Sequence, residues 1–427
     1  MRRQQLKSGH RENGSHNGRP HGSTIWLPGR GNGGKQRPVL ITGGAGFIGT
    51  NLAHRLLSSG QPVLLYDNLS RAGVEQNLAW LRRTHGNLVQ VEVADMRDPK
   101  TLMGAVKRAA RVFHLAAQVA VTTSLVDPIH DFEINARGTL NLLEAIRAQD
   151  NPPPLLFTST NKVYGELRDV KLKVREGRYE PEDFHLRAHG FGEQRALNFH
   201  SPYGCSKGAA CQYVLDYART FGIPAVVFRM SCIYGLHQFG NEDQGWVAHF
   251  LIRALEEQPI TIYGDGRQVR DILFVEDLVN AFLVAMDNIK SISGNAFNMG
   301  GGPSNTISLL ELVEWIAEMR GERPKIRFDE WRSADQKYYV SDFRKFASAT
   351  SWRPRIKARE GVQILYQWLS ENRVAEPSRI VPVTHLVRKG HGHGNGTAHK
   401  PGRNGDALAE ENGNGTKRLE TKLAKAV

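Results

Sequence analysis

The sequence predicts an α/β fold, a doubly wound parallel sheet followed by a smaller α+β lobe. Three observations carry that expectation. Between residues 38 and 230, apolar runs of strand length alternate with amphipathic helical patterns, the succession expected of parallel strands joined by crossover helices. The first of these runs ends in a glycine turn and the second in a carboxylate. From about residue 231 the strands shorten and the strict alternation ends. The chain therefore divides into a basic tail at 1–37, a cofactor-binding domain at 38–230, a substrate lobe at 231–372 and a second tail at 373–427.

The folded part opens with Pro38-Val-Leu-Ile-Thr-Gly-Gly-Ala-Gly-Phe-Ile-Gly49. A strand meets glycines at 43, 46 and 49, and a helix follows to about Ser59. In this context Gly43 allows a tight turn, Gly46 lets backbone approach a pyrophosphate, and Gly49 lets the helix pack on the strand. The helix N-terminus then faces the phosphates. The second strand, Val63–Asp67, ends in a carboxylate 24 residues after Gly43. An acid there holds the ribose hydroxyls of an adenosine and favours NAD over NADP, while Arg71 keeps the NADP alternative open. This is the pattern of a Rossmann domain. Strands at 88–93, 111–117, Leu155–Thr160 and Ala225–Met230 follow, with helices at 99–109, 127–149 and from Tyr203. Gly43, Asp67, Asp95, Ala117 and Thr160 all fall at the carboxyl ends of strands, where such a sheet binds its ligands. The lobe is expected from short strands at Ile260–Tyr263, Val269–Phe274, Ala296–Met299 and 325–328, with helices at 245–257, Val275–Asp287 and 308–320.

Chemistry is expected in Phe199-His-Ser-Pro-Tyr-Gly-Cys-Ser-Lys207. Ser201 is a good N-cap and Pro202 suits the first helical position. Tyr203 and Lys207 then lie one turn apart on one face. A free phenol, with a pKa of about 10, is a poor base at neutral pH, and an ammonium beside it favours the phenolate. The pair suits proton removal from an alcohol as hydride leaves the same carbon.

The formal net charge of +13 belongs to the tails. Residues 1–37 carry eight Lys/Arg against one Asp/Glu, and residues 371–427 carry ten against six, which leaves +2 for the interior. The folded core is thus not expected to bind nucleic acid. Both tails are rich in Gly, Asn and His and are expected to be disordered. The N-terminus has no apolar run of a secretory signal and no stretch reaches a membrane span, so a cytoplasmic protein is expected. The three cysteines, Cys205, Cys211 and Cys232, lack metal-ligand spacing and read as reduced core thiols. No metal is expected, and the His391 and His393 alternation reads as polar tail. The sequons at Asn13, Asn395 and Asn414 carry no meaning without export.

In this order, Gly43-x-x-Gly46-x-x-Gly49, Thr160-Asn-Lys-Val-Tyr-Gly165 and Tyr203-x-x-x-Lys207 resemble the extended short-chain dehydrogenase/reductase superfamily, whose members act mostly on nucleotide sugars. Longer strings, among them Gln118-Val-Ala-Val-Thr-Thr-Ser124, Asp131-Phe-Glu-Ile-Asn135, Asp243-Gln-Gly-Trp246 and Gly266-Arg-Gln-Val-Arg-Asp271, resemble its branch that interconverts CDP-paratose and CDP-tyvelose by inverting carbon 2. The likeness runs from about 38 to 372. It implies a catalytic set of Thr160, Tyr203 and Lys207 and NAD as cofactor. The NAD would be held by Gly43, Gly46, Phe47, Ile48, Gly49, Asp67, Asn68, Asp95, Met96, Leu115, Ala116, Gln118, Asn135, Thr158, Tyr203, Lys207 and Met230. It implies a nucleotide-sugar substrate held by Thr123, Thr160, Asn161, His200, Trp246, Arg270 and Arg332, with Arg270 gripping the diphosphate. It further implies a homo-dimer or homo-tetramer formed through the helices that start near Asp127 and Tyr203. Related 4,6-dehydratases carry an Asp-Glu pair where Asn161 and Lys162 stand, so elimination of water is not expected. Ser231 likewise replaces an asparagine common in relatives. Two alternatives stay open: a UDP-sugar 4-epimerase with the same residues, and a non-catalytic scaffold that holds NAD.

Overall fold

The computed structural model describes residues 36–373. The readings on both tails beyond these, including the sequons and the two histidines, lie outside the described residues.

The central sheet follows from apolar side chains that alternate between two buried faces. In β1 (Val39–Thr42) all four side chains are buried. Val39 and Ile41 join one core and Leu40 the other, as the period of two dictates for a sheet covered on both sides. The same alternation separates Leu156 from Leu155 and Phe157, and Val226 and Phe228 from Ala225 and Val227. With β2 (Val63–Asp67), β3 (Val89–Val93), β4 (Arg111–His114) and β5 (Leu155–Thr160), the strands form a seven-stranded sheet. Its order is Ala296–Met299, Ala225–Met230, β5, β4, β1, β2, β3, and every pairing is parallel. Helix α1 (Phe47–Ser58) and the helix Val275–Asp287 contribute to one core. Pro99–Arg108, Gly138–Arg147 and Ser201–Phe221 contribute to the other. The strand order reverses between β1 and β4, which sets the ligand crevice at their carboxyl ends.

Three expectations are corrected here. Ala296–Met299 is not a lobe strand but the edge of the central sheet, paired with Ala225–Met230. All four of its residues are buried, a pattern that a four-residue run shares with lobe strands. The helix expected over 127–149 is broken by a π turn at Glu133–Arg137, between Pro128–Phe132 and Gly138–Arg147. Such a turn re-aims side chains within a helix. Of the cysteines, Cys211 is buried and Cys232 half-buried, but Cys205 is exposed.

The lobe is built on the fully buried strand Val269–Phe274. It pairs in parallel with Cys232–Tyr234 and Tyr338–Tyr339 and antiparallel with Thr306–Ser308. Helix Leu309–Arg320 begins with a capping box, Glu311 N donating to Ser308 Oγ at 3.2 Å and Ser308 N to Glu311 Oε2 at 2.6 Å. Among the described residues, no helix is long and apolar enough to cross a membrane.

Phe282 shows how the core is joined. It is fully buried, with its ring 5.8 Å from that of Phe113 and 5.7 Å from that of Phe228. Phe282→Ala is expected to lower unfolding stability by about 3–5 kcal/mol, read as a lower denaturant midpoint with an unchanged slope.

Candidate active site

The glycine turn is shaped for a close backbone approach. Gly43 has φ +68°, and a Cβ there would stand 2.7 Å from Ala116 N. At Gly49 a Cβ would overlap the Gly43 carbonyl and lie 2.7 Å from Gly44 Cα. Gly46 differs, for a Cβ would meet only Gly43 O at 3.2 Å. Its missing side chain therefore leaves open the space in front of α1. The first turn of α1, with Phe47 and Ile48, has no acidic residue and no side-chain cap, so its N–H groups remain available to an anion. Asp67 ends β2 and accepts Ala45 N at 3.0 Å and Leu69 N at 2.9 Å; burial raises its pKa. Asn68 donates to Asp95 at 2.9 Å, and the Arg97 guanidinium holds Asp95 well below the usual carboxylate range. Glycine turn, bare helix terminus and strand-end acid together fit a dinucleotide.

A buried hydrogen-bond chain runs from this turn into the π turn. Thr139 donates to Asn135 O at 2.6 Å, so at 3.0 Å it accepts from His114 Nε2. His114 Nδ1 then accepts from Thr42 Oγ1 at 2.7 Å, and Thr42 in turn accepts Ala116 N at 3.3 Å. Every donor has an acceptor only if His114 is neutral. Burial, helped by the Lys207 amine, drives its pKa down to about 3. Asn135, 1% exposed, accepts Gln118 N and donates to Gln118 O, both at 3.0 Å. Leu115 N bonds Thr42 O at 3.0 Å and Thr158 Oγ1 bonds His114 O at 3.1 Å, which carries β4 into this network. Met96 is buried against Gly138, and Met230 lies opposite Thr160 across the last pairing of β5.

The expected cap is displaced by one residue: His200 is the N-cap and Ser201, at φ +66°, is the first residue of the long helix, where its hydroxyl accepts Gly204 N at 3.2 Å. Ser124 accepts the Tyr203 N–H at 3.2 Å. Tyr203 and Lys207 are both buried, at 8% and 3% exposure. The expected lowering of the phenol by the amine is corrected. Burial pushes Tyr203 up to about 12, and the Thr160 hydroxyl, in hydrogen-bonding reach, is the group pulling it down. Burial also drags Lys207 down to about 7. Its Nζ lies 4.3 Å from the centre of the Phe157 ring.

The residues assigned to substrate are spread more widely. Thr123 is exposed on the helix Val121–Val126. Asn161 donates to Gln336 at 3.0 Å, and Lys162 Nζ donates to Ala334 O at 3.1 Å with Asp335 at 3.5 Å. Arg270, 7% exposed, pairs with Asp335 at 2.7 Å and donates to its neighbour's carbonyl, Val269 O. Trp246 Nε1 points at Cys232 Sγ, 3.4 Å away. Arg332 sits 3.9 Å over the Tyr263 ring and donates to Glu242 O at 2.8 Å. His200 pairs with Glu166 at 3.2 Å, and Ser231 is turned to Asp271. The structure thus brings Thr160 to Tyr203, with Lys207 one turn along the same helix, joins Asn161 and Arg270 through the Ala334–Gln336 segment, and leaves Thr123, His200 and Arg332 bonded elsewhere or exposed. Phe157, Ser124, Asp131 and Asp335 were missed. Ser124 and Asp131 stand at the ends of two strings that carried the family resemblance and Phe157 lies in β5 three residues before Thr160, but none had been given a role. Gly49→Val is expected to abolish copurification of NAD, read by mass spectrometry of the released small molecules, since the new side chain collides with Gly43 and Gly44.

Residues 39–300 match the model of the NAD dependent epimerase/dehydratase family. The chain is 45% identical over 339 residues, 78% of its length and 99% of the relative's, to CDP-paratose 2-epimerase of Salmonella typhi. With the same coverage it is 31% identical to a putative UDP-glucose 4-epimerase of Methanocaldococcus jannaschii. Among solved structures, the Thermus thermophilus UDP-glucose 4-epimerase in complex with NAD superposes with a TM-score of 0.65 at 32% identity, covering 78% of this chain and 99% of that one. The Bacillus cereus UDP-glucuronic acid 4-epimerase, in complex with UDP-glucuronic acid and NAD, gives 0.67 at 26% identity with the same coverage. The matched span contains the glycine turn and the Thr160, Tyr203 and Lys207 cluster, and on this basis the chain belongs to the NAD-dependent epimerase/dehydratase family, as an epimerase that uses NAD.

Proposed function

We propose that the protein inverts carbon 2 of a CDP-linked 3,6-dideoxyhexose, interconverting CDP-paratose and CDP-tyvelose. One observation carries this reading: the Thr160 hydroxyl and the buried Tyr203 phenol meet at the end of β5, where the adjoining Asn161 and Lys162 are tied to Gln336, Ala334 and Asp335. An alcohol can be deprotonated there, but the next two positions offer no carboxyl group to eliminate water. That favours epimerisation over dehydration. Carbon 2 and the CDP group rest on the likeness to the Salmonella typhi 2-epimerase.

In this mechanism Thr160 orients the sugar oxygen and Tyr203 takes its proton. Lys207, one turn along, would hold the ribose of bound NAD, and the Thr160 hydroxyl is the group that favours the phenolate. Bound NAD would supply a reversible hydride acceptor for carbon 2. The 2-keto sugar presents its other face, and Tyr203 gives the proton back to the oxygen. The buried Arg270 and the half-buried Lys162, which share the carboxylate of Asp335, favour a dianionic diphosphate close by. A UDP-sugar 4-epimerase would use the same three residues with the sugar turned. A scaffold without chemistry would not need them brought together.

A dimer or tetramer formed through the helices near Asp127 and Tyr203 is part of the proposal. Leu125, Val126, Ile129 and Phe132 are 51%, 86%, 74% and 51% exposed, a cluster of apolar side chains that a second copy would cover.

The full chain, incubated with CDP-paratose deuterated at carbon 2, is expected to give CDP-tyvelose with the label retained. Inversion of UDP-glucose at carbon 4 with CDP-paratose left untouched would establish the other epimerase reading. General acid–base assistance is worth about 10²–10⁴-fold, so Tyr203→Phe should lose about that much in kcat and keep its NAD. Ile129→Glu combined with Val126→Glu is expected to give monomers by light scattering.

A further inference from the structure

Gln336 reaches the end of β5 from the lobe, and the chemistry above gives it no part. It is 0% exposed, and both ends of its carboxamide are bonded. Nε2 donates to Gly165 O at 2.6 Å and Oε1 accepts Asn161 Nδ2 at 3.0 Å. A backbone carbonyl only accepts, so the amide end of Gln336 must face Gly165 and its oxygen must face Asn161. Asn161, 8% exposed, is thereby turned with its own oxygen toward Thr160, whose hydroxyl donates to Asn161 Oδ1 at 3.3 Å. Joining lobe to sheet takes only the bond between the two amides. The oxygen left over on Asn161 is aimed at a catalytic hydroxyl.

That hydroxyl has one proton and two lone pairs. As the N-cap of the short turn Asn161–Tyr164, Thr160 accepts Lys162 N at 3.2 Å, which occupies one lone pair. With its proton on Asn161, the other lone pair is what it offers to Tyr203, so a neutral phenol donates to it. A phenolate needs the reverse: the Thr160 proton must leave Asn161 for the Tyr203 oxygen. Two acceptors thus claim one proton, and the orientation fixed at Gly165 keeps Asn161 among them. Were Asn161 turned about, its amide would donate to Thr160, and the Thr160 proton would be committed to Tyr203.

We propose that Gln336 is a positioning residue for catalysis: bonded to Gly165 O, it holds the Asn161 oxygen against the Thr160 hydroxyl, so that Asn161 and Tyr203 compete for one proton. The assignment rests on the Thr160–Tyr203 chemistry but not on which sugar is bound. Gln336 acts through Asn161 and Thr160 and favours the protonated phenol. Releasing Asn161 therefore moves the ionisation of Tyr203 to lower pH. The other titratable groups around the phenol are the same in every variant below. Lys207 packs over Phe157, Asp131 is held by Asn135 and Ser206, the Lys162 amine donates to Ala334 O with Asp335 beside it, and burial keeps His114 neutral.

The test is a 19F titration of the full chain labelled with 3-fluorotyrosine, whose more acidic phenol brings the midpoint into reach. The Tyr203 resonance is identified by its loss in Tyr203→Phe. Gln336→Met keeps the length of the side chain and removes both bonds. The Tyr203 midpoint is expected to fall by about one pH unit, and to stay in place when the same substitution is made in Thr160→Val. An anchor that merely ties lobe to sheet would leave the midpoint unmoved, or move it equally in both backgrounds. Either result overturns the proposal, as does a rise. Should Gln336→Met not fold, Asn161→Leu decides. It removes the competing acceptor itself and is expected to lower the midpoint in the same way; an unmoved or raised midpoint there overturns the proposal. The titrations need no sugar, so this assignment and the choice of substrate stand or fall separately.

Discussion

One carboxamide registers the carboxyl edge of the sheet. Asn135 accepts Gln118 N through its oxygen, and its two N–H groups are shared among Gln118 O, Asp131 and Ser206. These partners lie on the loop after β4, on the preceding helical turn and on the helix that carries Tyr203 and Lys207. A regular α-helix over 127–149 would aim residue 135 elsewhere; the π turn at Glu133–Arg137 sets its direction. The cofactor loop and the chemistry are thereby tied to the same side chain, and leaving any of these buried groups unpaired would carry its full desolvation cost.

The second constraint is dryness. Burial is the largest influence on Tyr203, Lys207, His114 and Asp131 alike. It raises the acids and lowers the bases, so each group is pushed toward its neutral form. In such a medium the few fixed dipoles and charges that remain act strongly. The Thr160 hydroxyl is one of these. The His114 chain, closed from Thr42 to Asn135, keeps the imidazole neutral and adds no competing charge beside the Lys207 amine.

The lobe is held to the sheet at the same edge. Asn161 and Lys162 follow Thr160 directly and bond the Ala334–Gln336 segment, and Gln336 returns a bond of 2.6 Å to Gly165 O. Where an acidic pair would perform elimination, an amide and an amine instead anchor the wall of the crevice. Asp271, fully buried in the central lobe strand, accepts Ser231 Oγ at 2.6 Å and Gly302 N at 3.1 Å. The position after the strand Ala225–Met230 is thus occupied in joining sheet to lobe. The departures at Asn161, Lys162 and Ser231 have structural work of their own.

What the linear order of residues determined was whatever depends on neighbours within a turn or a strand. The two-faced apolar alternation of β1 and β5, the glycine turn at 43–49, the acid ending β2 and the Tyr203–Lys207 spacing on one helix are local patterns, and all were legible. The place of Ala296–Met299 was not, because four buried residues pair equally well in a lobe or at a sheet edge until the helix Val275–Asp287 has packed. Nor was the state of the chemistry. The amine beside Tyr203 implied a lowered phenol, whereas the packed interior raises it, since desolvation is a property of the surroundings and not of the spacing. Asp131 makes the same point: in sequence it is one more polar residue of a surface helix, and only the approach of Ser206 from 75 positions away draws it into a buried hydrogen-bond cluster.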